Sequence, residues 1–304
     1  STCSVSSFTV RHQTLLLSSE GDVSQTTEAV EVRRLSPSEV HLALEWARLE
    51  GWNPGVSDAA CFYAADPNGF WGALHNGEPA AVISVVHYGN AFVFLGLYIC
   101  RPDLRGRGFG TAVWNAAIGA AGDRVIGLDG VPAQQENYRR SGFRLAWGNR
   151  RYQGTGLERD VRGVVDLDTV PFAQIAAYDT SVFEADRRRF LRLWIAQPNA
   201  VRLGVIRDGT LAGWGLLRPC AEGHKIGPLL ADDEATAARL LDALMAARPG
   251  EPIFLDVPDA NADAVRTAED HGMTVCFETA RMYRGNAPSL DLAKVWGITS
   301  FELG

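Results

Sequence analysis

The stretch Arg105-Gly106-Arg107-Gly108-Phe109-Gly110 combines three glycines with two arginines where a strand gives way to a helix. A helix N-terminus carries backbone N–H groups without internal partners, and its dipole favours anions. Glycines let that backbone approach a pyrophosphate closely, and Arg105 and Arg107 add positive charge beside it. The spacing is not that of a dinucleotide-binding G-x-G-x-x-G, and the Gly-Lys-Ser/Thr of a Walker loop is missing. Cys3, Cys61, Cys100, Cys220 and Cys276 contain no C-x-x-C pair. They argue against a disulfide scaffold or a structural zinc, and read as small buried hydrophobes in a reducing compartment.

The elements around this turn are legible from capping, periodicity and turn chemistry. Val30 to Arg33 alternates as a strand, and Ser36-Pro37-Ser38-Glu39 is a capping box with proline at the first helical position. The helix that follows buries Val40, Leu44 and Ala47 and stops at Gly51; a second runs from Ser57 to Ala65. Phe70 to His75, the Asn76-Gly77 turn and Ala80 to His87 make a hairpin, and Ala91 to Cys100 is the next strand. After the glycine-rich turn come a helix, a short strand Val125 to Leu128, a helix Ala133 to Ser141 and a strand beginning at Phe143.

The second half repeats this order, with helices Thr169 to Tyr178 and Asp186 to Ala196 and a hairpin about Asp208-Gly209. Then follow Ile226 to Leu230, Glu234 to Ala247, Ile253 to Val257, Ala262 to His271 and Met273 to Tyr283. Val295 to Leu303 has the pattern of one more strand. Residues 1–28 hold twelve Ser or Thr and read as a mobile tail or cloning-derived sequence. The boundary between the halves falls in the polar stretch Gln153 to Asp160.

Two motifs carry a resemblance to a known family. Tyr98-Ile99-Cys100-Arg101-Pro102-Asp103-Leu104-Arg105-Gly106-Arg107-Gly108-Phe109-Gly110 resembles the coenzyme A motif of the GNAT acyltransferase superfamily. Tyr138-Arg139-Arg140-Ser141-Gly142-Phe143 resembles that family's Tyr-x-x-x-Gly-Phe helix ending. Glu50-Gly51-Trp52-Asn53-Pro54-Gly55 is similar to the N-terminal motif of its bacterial tandem-domain subgroup. The resemblance implies an α/β fold (an α+β mixed sheet) in two tandem GNAT-like domains, 29–153 and 161–304, joined by a linker at 154–160. It implies acyl transfer, usually acetyl from acetyl-CoA, to an amine.

Carried over by position, Arg105, Gly106, Arg107, Gly108, Phe109, Gly110 and Thr111 would cradle the pyrophosphate. Backbone groups of Tyr98, Ile99 and Cys100 would pair with the pantetheine arm like an added strand. Tyr138 would be the general acid for the departing thiolate, and Val131 stands where the family often has an asparagine. A neutral amine needs a group to take its proton. Glu50, Asp58, His87 and Asp129 are the candidates, with Glu50 beside Trp52 and Asp129 just past the short strand foremost. No base is recognisably paired with Cys100, which disfavours a covalent route.

The second half departs from the motif. Asp232-Asp233-Glu234 opens its helix, where three carboxylates would repel a pyrophosphate, and Ala268 stands where the first half has Tyr138. It is expected to lack a cofactor site of its own and to shape the acceptor pocket, with His224 and Lys225 within reach.

Composition sets the outer limits. The chain has 304 residues, 46% hydrophobic and 21% charged, with 29 Lys and Arg against 36 Asp and Glu for a net charge of −7. That excludes wholesale disorder and offers no broad nucleic-acid footprint. The longest apolar run, Ala91 to Cys100, is about half a membrane span. The expectation is a cytoplasmic N-acetyltransferase that uses acetyl-CoA, no metal, and a small-molecule amine acceptor, without nucleic-acid or membrane partners. A non-catalytic acyl-CoA sensor and a protein-lysine acetyltransferase are the rival readings.

Overall fold

The computed structural model describes residues 8–9, 30–183 and 185–304. The expected tail, 1–28, therefore lies outside the described residues except for β1 (Phe8–Thr9), which pairs antiparallel with β2 (Glu31–Arg34). In the first half, α1 (Pro37–Leu49) and α2 (Asp58–Ala65) precede the meander β3 (Phe70–His75), β4 (Glu78–Tyr88) and β5 (Phe92–Cys100). Then come α3 (Phe109–Ala121), β6 (Val125–Gly130), α4 (Gln135–Arg140) and β7 (Arg144–Thr155). The capping box at Ser36 forms as expected, with Glu39 also held by Arg33 at 2.7 Å. β7 runs to Thr155 and absorbs Gly154, so the irregular link starts at Gly156.

The second half opens with β8 (Val165–Asp166), a two-residue strand that the sequence pattern did not announce. It continues through α5 (Phe172–Phe183), α6 (Arg188–Ile195), β9 (Val201–Arg207), β10 (Thr210–Pro219) and β11 (His224–Ala231). α7 (Glu234–Ala246), β12 (Pro252–Pro258), α8 (Ala262–Asp270), β13 (Thr274–Arg284) and the short β14 (Val295–Gly297) complete it. Only three residues of the strand expected over Val295 to Leu303 pair, since Ser300–Gly304 curls back on itself through Ser300.

All the strands among the described residues join one mixed sheet in the order β1-β2-β3-β4-β5-β6-β13-β7-β12-β11-β10-β9-β8, with β14 on β11. The two halves exchange their last long strands. β13 pairs with β6 of the first half, β7 pairs with β12 of the second, and β7 and β13 pair with each other. Three apolar clusters fill the layers: one under α3, one under α7 and α8, and a larger one between the halves involving α1, α2, α5 and α6. No helix among the described residues is long and apolar enough to cross a membrane.

Candidate active site

β5 and β6 run parallel from Phe92↔Val125 to Leu95↔Leu128 and then separate. The cause is local. Leu97 and Tyr98 form a bulge opposite Ile83 of β4, between the pairs Ser84↔Gly96 and Val82↔Ile99, and Leu97 takes a left-handed φ of 48°. A bulge bends its strand and raises local twist. Beyond Leu95, Gly96 to Cys100 keeps β4 on one edge and has no strand on the other, the arrangement β-strand addition requires. Tyr98, Ile99 and Cys100 lie on this stretch, and Arg105 to Thr111 follow at its end.

At that end Gly108 caps α3 with φ at 90°, a conformation that costs side-chain-bearing residues far more than glycine. The described residues offer no backbone acceptor to the N–H groups of Gly106, Gly108, Phe109 and Thr111. Arg105, Gly106, Arg107, Gly108 and Thr111 are exposed, while the Phe109 ring is buried. This turn fits a pyrophosphate: open backbone donors, no side chain above Gly106 and Gly108, and two guanidinium groups.

Glu50 does not stand free. It caps α1 and makes an ion pair with Arg105, which also donates to the Cys100 carbonyl at 3.1 Å. Burial pushes the Cys100 thiol up, away from the thiolate a nucleophile needs.

The cleft between the separated strands is lined by Tyr98, Trp114, Asp129 and Tyr138 of the first half. Phe277, Thr279, Phe301 and Glu302 of the second half form its other wall. Tyr138 is 8% exposed, stacked on Trp114 at 5.6 Å, and close enough to Gly130 that a β-carbon there would sit 2.8 Å from the ring. Burial, followed by the neighbouring Tyr98, pushes its phenol up, so it keeps its proton at neutral pH. Val131 lines the cleft too and adds no polar contact where the family often has an asparagine.

The expected bases fare differently. Asp129 faces the cleft, yet both its oxygens accept from Arg281 at 2.8 Å, and one also accepts from Asn149 at 2.7 Å. Burial pushes its carboxyl up against the pull of Arg281. A carboxylate so engaged serves as the counter-ion of Arg281. Asp58 is buried in a bidentate pair with Arg218, at 2.9 and 3.1 Å, and tethers α2 to β10.

His87 lies in a separate surface hollow with Asp66 and Arg124. Its Nδ1 meets Asp66 at 2.8 Å, and that contact raises its pKa above the ordinary 6.5. Burial works to raise the Asp66 carboxyl, but hydrogen bonds from His87 and Asn68 outweigh it and leave it lowered. A raised histidine stabilises the fold fully below its unfolded pKa and loses that contribution as pH climbs through the folded value. The melting-temperature gap between the parent and His87→Gln should therefore be widest below pH 6.5 and narrow as pH rises. A gap independent of pH would reduce His87 to packing.

His224 sits beside Glu251 and Arg248, and Lys225 donates to the Asn53 carbonyl at 2.8 Å; neither lines the cleft. Among the described residues no cluster of three His, Cys, Asp or Glu could hold a metal. The corresponding place in the second half is closed. β11 and β12 pair in parallel only from His224↔Ile253 to Ile226↔Leu255, and beyond that β14 takes the edge of β11. Asp233 caps α7 through the Thr236 N–H and pairs with Arg207 at 2.7 Å.

Comparison with known proteins agrees with this geometry. The acetyltransferase (GNAT) family model matches residues 38–143, and an acetyltransferase (GNAT) domain model matches 175–297. Holothin acyltransferase from Pseudoalteromonas sp. (strain SANK 73390) is 30% identical over 275 residues, covering 88% of this chain and 92% of that protein. The chain belongs to the GNAT acyltransferase family. It carries two GNAT domains in tandem on a mixed α/β sheet. The structure of a candidate acetyltransferase from Pyrococcus horikoshii matches with a TM-score of 0.77 at 21% identity, over 95% of this chain and 99% of that one. A tandem GNAT protein from the clavulanic acid biosynthesis pathway matches with a TM-score of 0.58 at 13% identity, over 86% and 99%.

Sequence reasoning missed Phe277, Thr279, Phe301 and Glu302. The one local signal was a glutamate inside the apolar and small-residue run Ile298 to Leu303.

Proposed function

We propose that this tandem GNAT protein transfers an acetyl group from acetyl-CoA directly to the amine of a small acceptor. The observation that carries the reading is the unpaired edge Gly96 to Cys100, which leads from the cleft holding Tyr138 to the open amides of Gly106 to Thr111. On this reading the amide donors and arginines hold the pyrophosphate, and the strand edge aligns the arm. Both partners bind before reaction. The amine nitrogen bonds to the thioester carbon, the carbon–sulfur bond breaks, and Tyr138 supplies a proton to the departing sulfur. The cleft takes both walls from this chain, which favours a small molecule over a protein surface, as does the likeness to holothin acyltransferase. Thiol release from acetyl-CoA and longer acyl-CoAs across an amine library tests it. Thiol release without an amine product, or with lysine peptides alone, would overturn it.

The same reading gives one donor site per chain, because β14 and the Asp233 cap occupy the matching place in the second half. Calorimetry should find one acetyl-CoA per chain. Gly108→Glu should abolish binding, since it adds charge and a strained φ of 90° at the cradle. Asp233→Ala should bind normally while losing about 1 kcal/mol of stability with its cap. Two equal sites would show that the second half is competent.

A further inference from the structure

The segment after β14 enters the first half's cleft. Tyr88 donates to the Leu303 carbonyl at 2.9 Å, and Arg187 donates to Thr299 Oγ1 at 2.8 Å and to the Gly304 carbonyl at 3.3 Å. Phe301 is clamped between Phe277, 6.0 Å away, and the Arg151 guanidinium, 4.8 Å above its ring. These contacts hold Glu302 beside the bulge of β5, so closely that a β-carbon on Gly96 would fall 2.1 Å from the Glu302 carbonyl oxygen. Glu302, 4% exposed, is among the residues that line the cleft. Its Oε1 has no hydrogen-bond partner among the described residues, and neither does the buried Oγ1 of Thr279 on the same wall. Burying such groups without a partner costs on the order of 1–3 kcal/mol or more each. A ligand donor arriving there would recover that cost.

We propose that Glu302, delivered by the second half of the chain, is the base that receives the acceptor's proton, and that Thr279 helps hold the same nitrogen. The proposal rests on the acyl-transfer reading above. The charges facing Glu302 come from four elements: Lys225 on β11, Arg151 on β7 and Arg218 on β10 favour its ionised form, and Asp58 on α2 opposes it. Burial outweighs them and raises its carboxyl above the ordinary glutamate value. An ionised carboxylate only accepts hydrogen bonds, so it selects an N–H donor. Trp52, Phe277 and Phe301 complete the wall, which suits a flat, uncharged body on the amine.

As the nitrogen bonds to the thioester carbon, its surplus proton passes to Glu302 Oε1, and the thiolate leaves with the proton held by Tyr138. The products are an amide and a free thiol. Glu302 then returns its proton to solvent, and Tyr138 regains one, so no proton, electron or further reactant is left over.

The probes are aniline, benzylamine and tryptamine with acetyl-CoA, followed by single-turnover rates between about pH 5 and pH 9. The aniline nitrogen is already neutral over most of that range, so its rate profile reports the enzyme's own base. With the best of the three, Glu302→Gln should lose on the order of 10²-fold or more in rate, and with aniline it should lose the acidic limb of the profile. Its acetyl-CoA affinity should stay within about two-fold of the parent. Glu302→Asp should keep the limb at a reduced rate, which holds the test open if the glutamine variant folds poorly. Thr279→Val should raise the KM for the amine while sparing kcat. A parent-like rate and profile in Glu302→Gln would overturn the proposal and leave acyl transfer standing. If the parent acylates none of the three amines, the proposal falls, and the broader amine library decides whether acyl transfer falls with it.

Discussion

Tyr138→Phe is expected to lower single-turnover acyl transfer on the order of 10²–10⁴-fold while leaving acetyl-CoA affinity nearly unchanged. The substitution keeps the ring that stacks on Trp114 at 5.6 Å and meets Phe143 edge-on at 6.2 Å. It removes only the hydroxyl, whose proton the departing sulfur requires as negative charge develops there. An interaction of that kind is absent in the ground state, so the loss should appear in kcat and in kcat/KM alike. Burial holds the phenol in its protonated form, and the parent should therefore show no alkaline decline from Tyr138 below about pH 10. Single-turnover measurement separates chemistry from product release. Unchanged chemistry in the variant would make Tyr138 a packing residue between Trp114 and Phe143.

The largest stability effect is expected at Asp58. Its carboxylate accepts from Arg218 at 2.9 and 3.1 Å, from the Gly55 N–H at 2.9 Å and from Gln197 at 3.3 Å, all within the buried join between the halves. Asp58→Ala leaves the Arg218 guanidinium buried without its bidentate partner, over the Trp194 ring at 4.3 Å, with Glu302 as a remaining acidic neighbour. Removing one partner of such a pair costs about 3–5 kcal/mol, because the remaining charge stays desolvated. The urea midpoint should fall at an unchanged slope. Adding Arg218→Met to Asp58→Leu should recover most of the loss, since apolar groups of similar volume avoid the desolvation cost. An equally large loss in the double variant would mean that the pair is held by geometry its apolar replacements cannot reproduce. The consequence reaches the cleft, because the loop bearing Trp52 is stitched to the second half beside this pair. Gly55 bridges Cys220, Asn53 exchanges hydrogen bonds with Glu222, and Arg151 donates to the Trp52 carbonyl at 2.7 Å.

Most elements could be read locally because their signals are local. The capping box at Ser36, the Asn76-Gly77 turn, the alternating strands and the Arg105 to Gly110 turn each act within a few residues, and the structure has an element at each. The donor side of the candidate site belongs to this class, since backbone amides at a helix start need only glycine and a helix. The repeat of element order was visible for the same reason, and the two matched GNAT domains bear it out.

The acceptor side required the tertiary structure. β7 and β13 have similar patterns, and nothing within either strand specifies which half it completes. Packing makes that choice, setting β13 beside β6 and β7 beside β12. Arg281 thereby reaches Asp129, 152 positions away in the chain, and turns an apparently free carboxylate into a counter-ion. Thr279 arrives on the cleft wall by the same exchange, and Glu302 by the segment after β14 that Tyr88 and Arg187 hold. The order of residues along the chain was thus enough for chemistry carried by backbone at a turn. Chemistry carried by side chains was decided by which distant charges and rings the fold brought within a few ångströms of them.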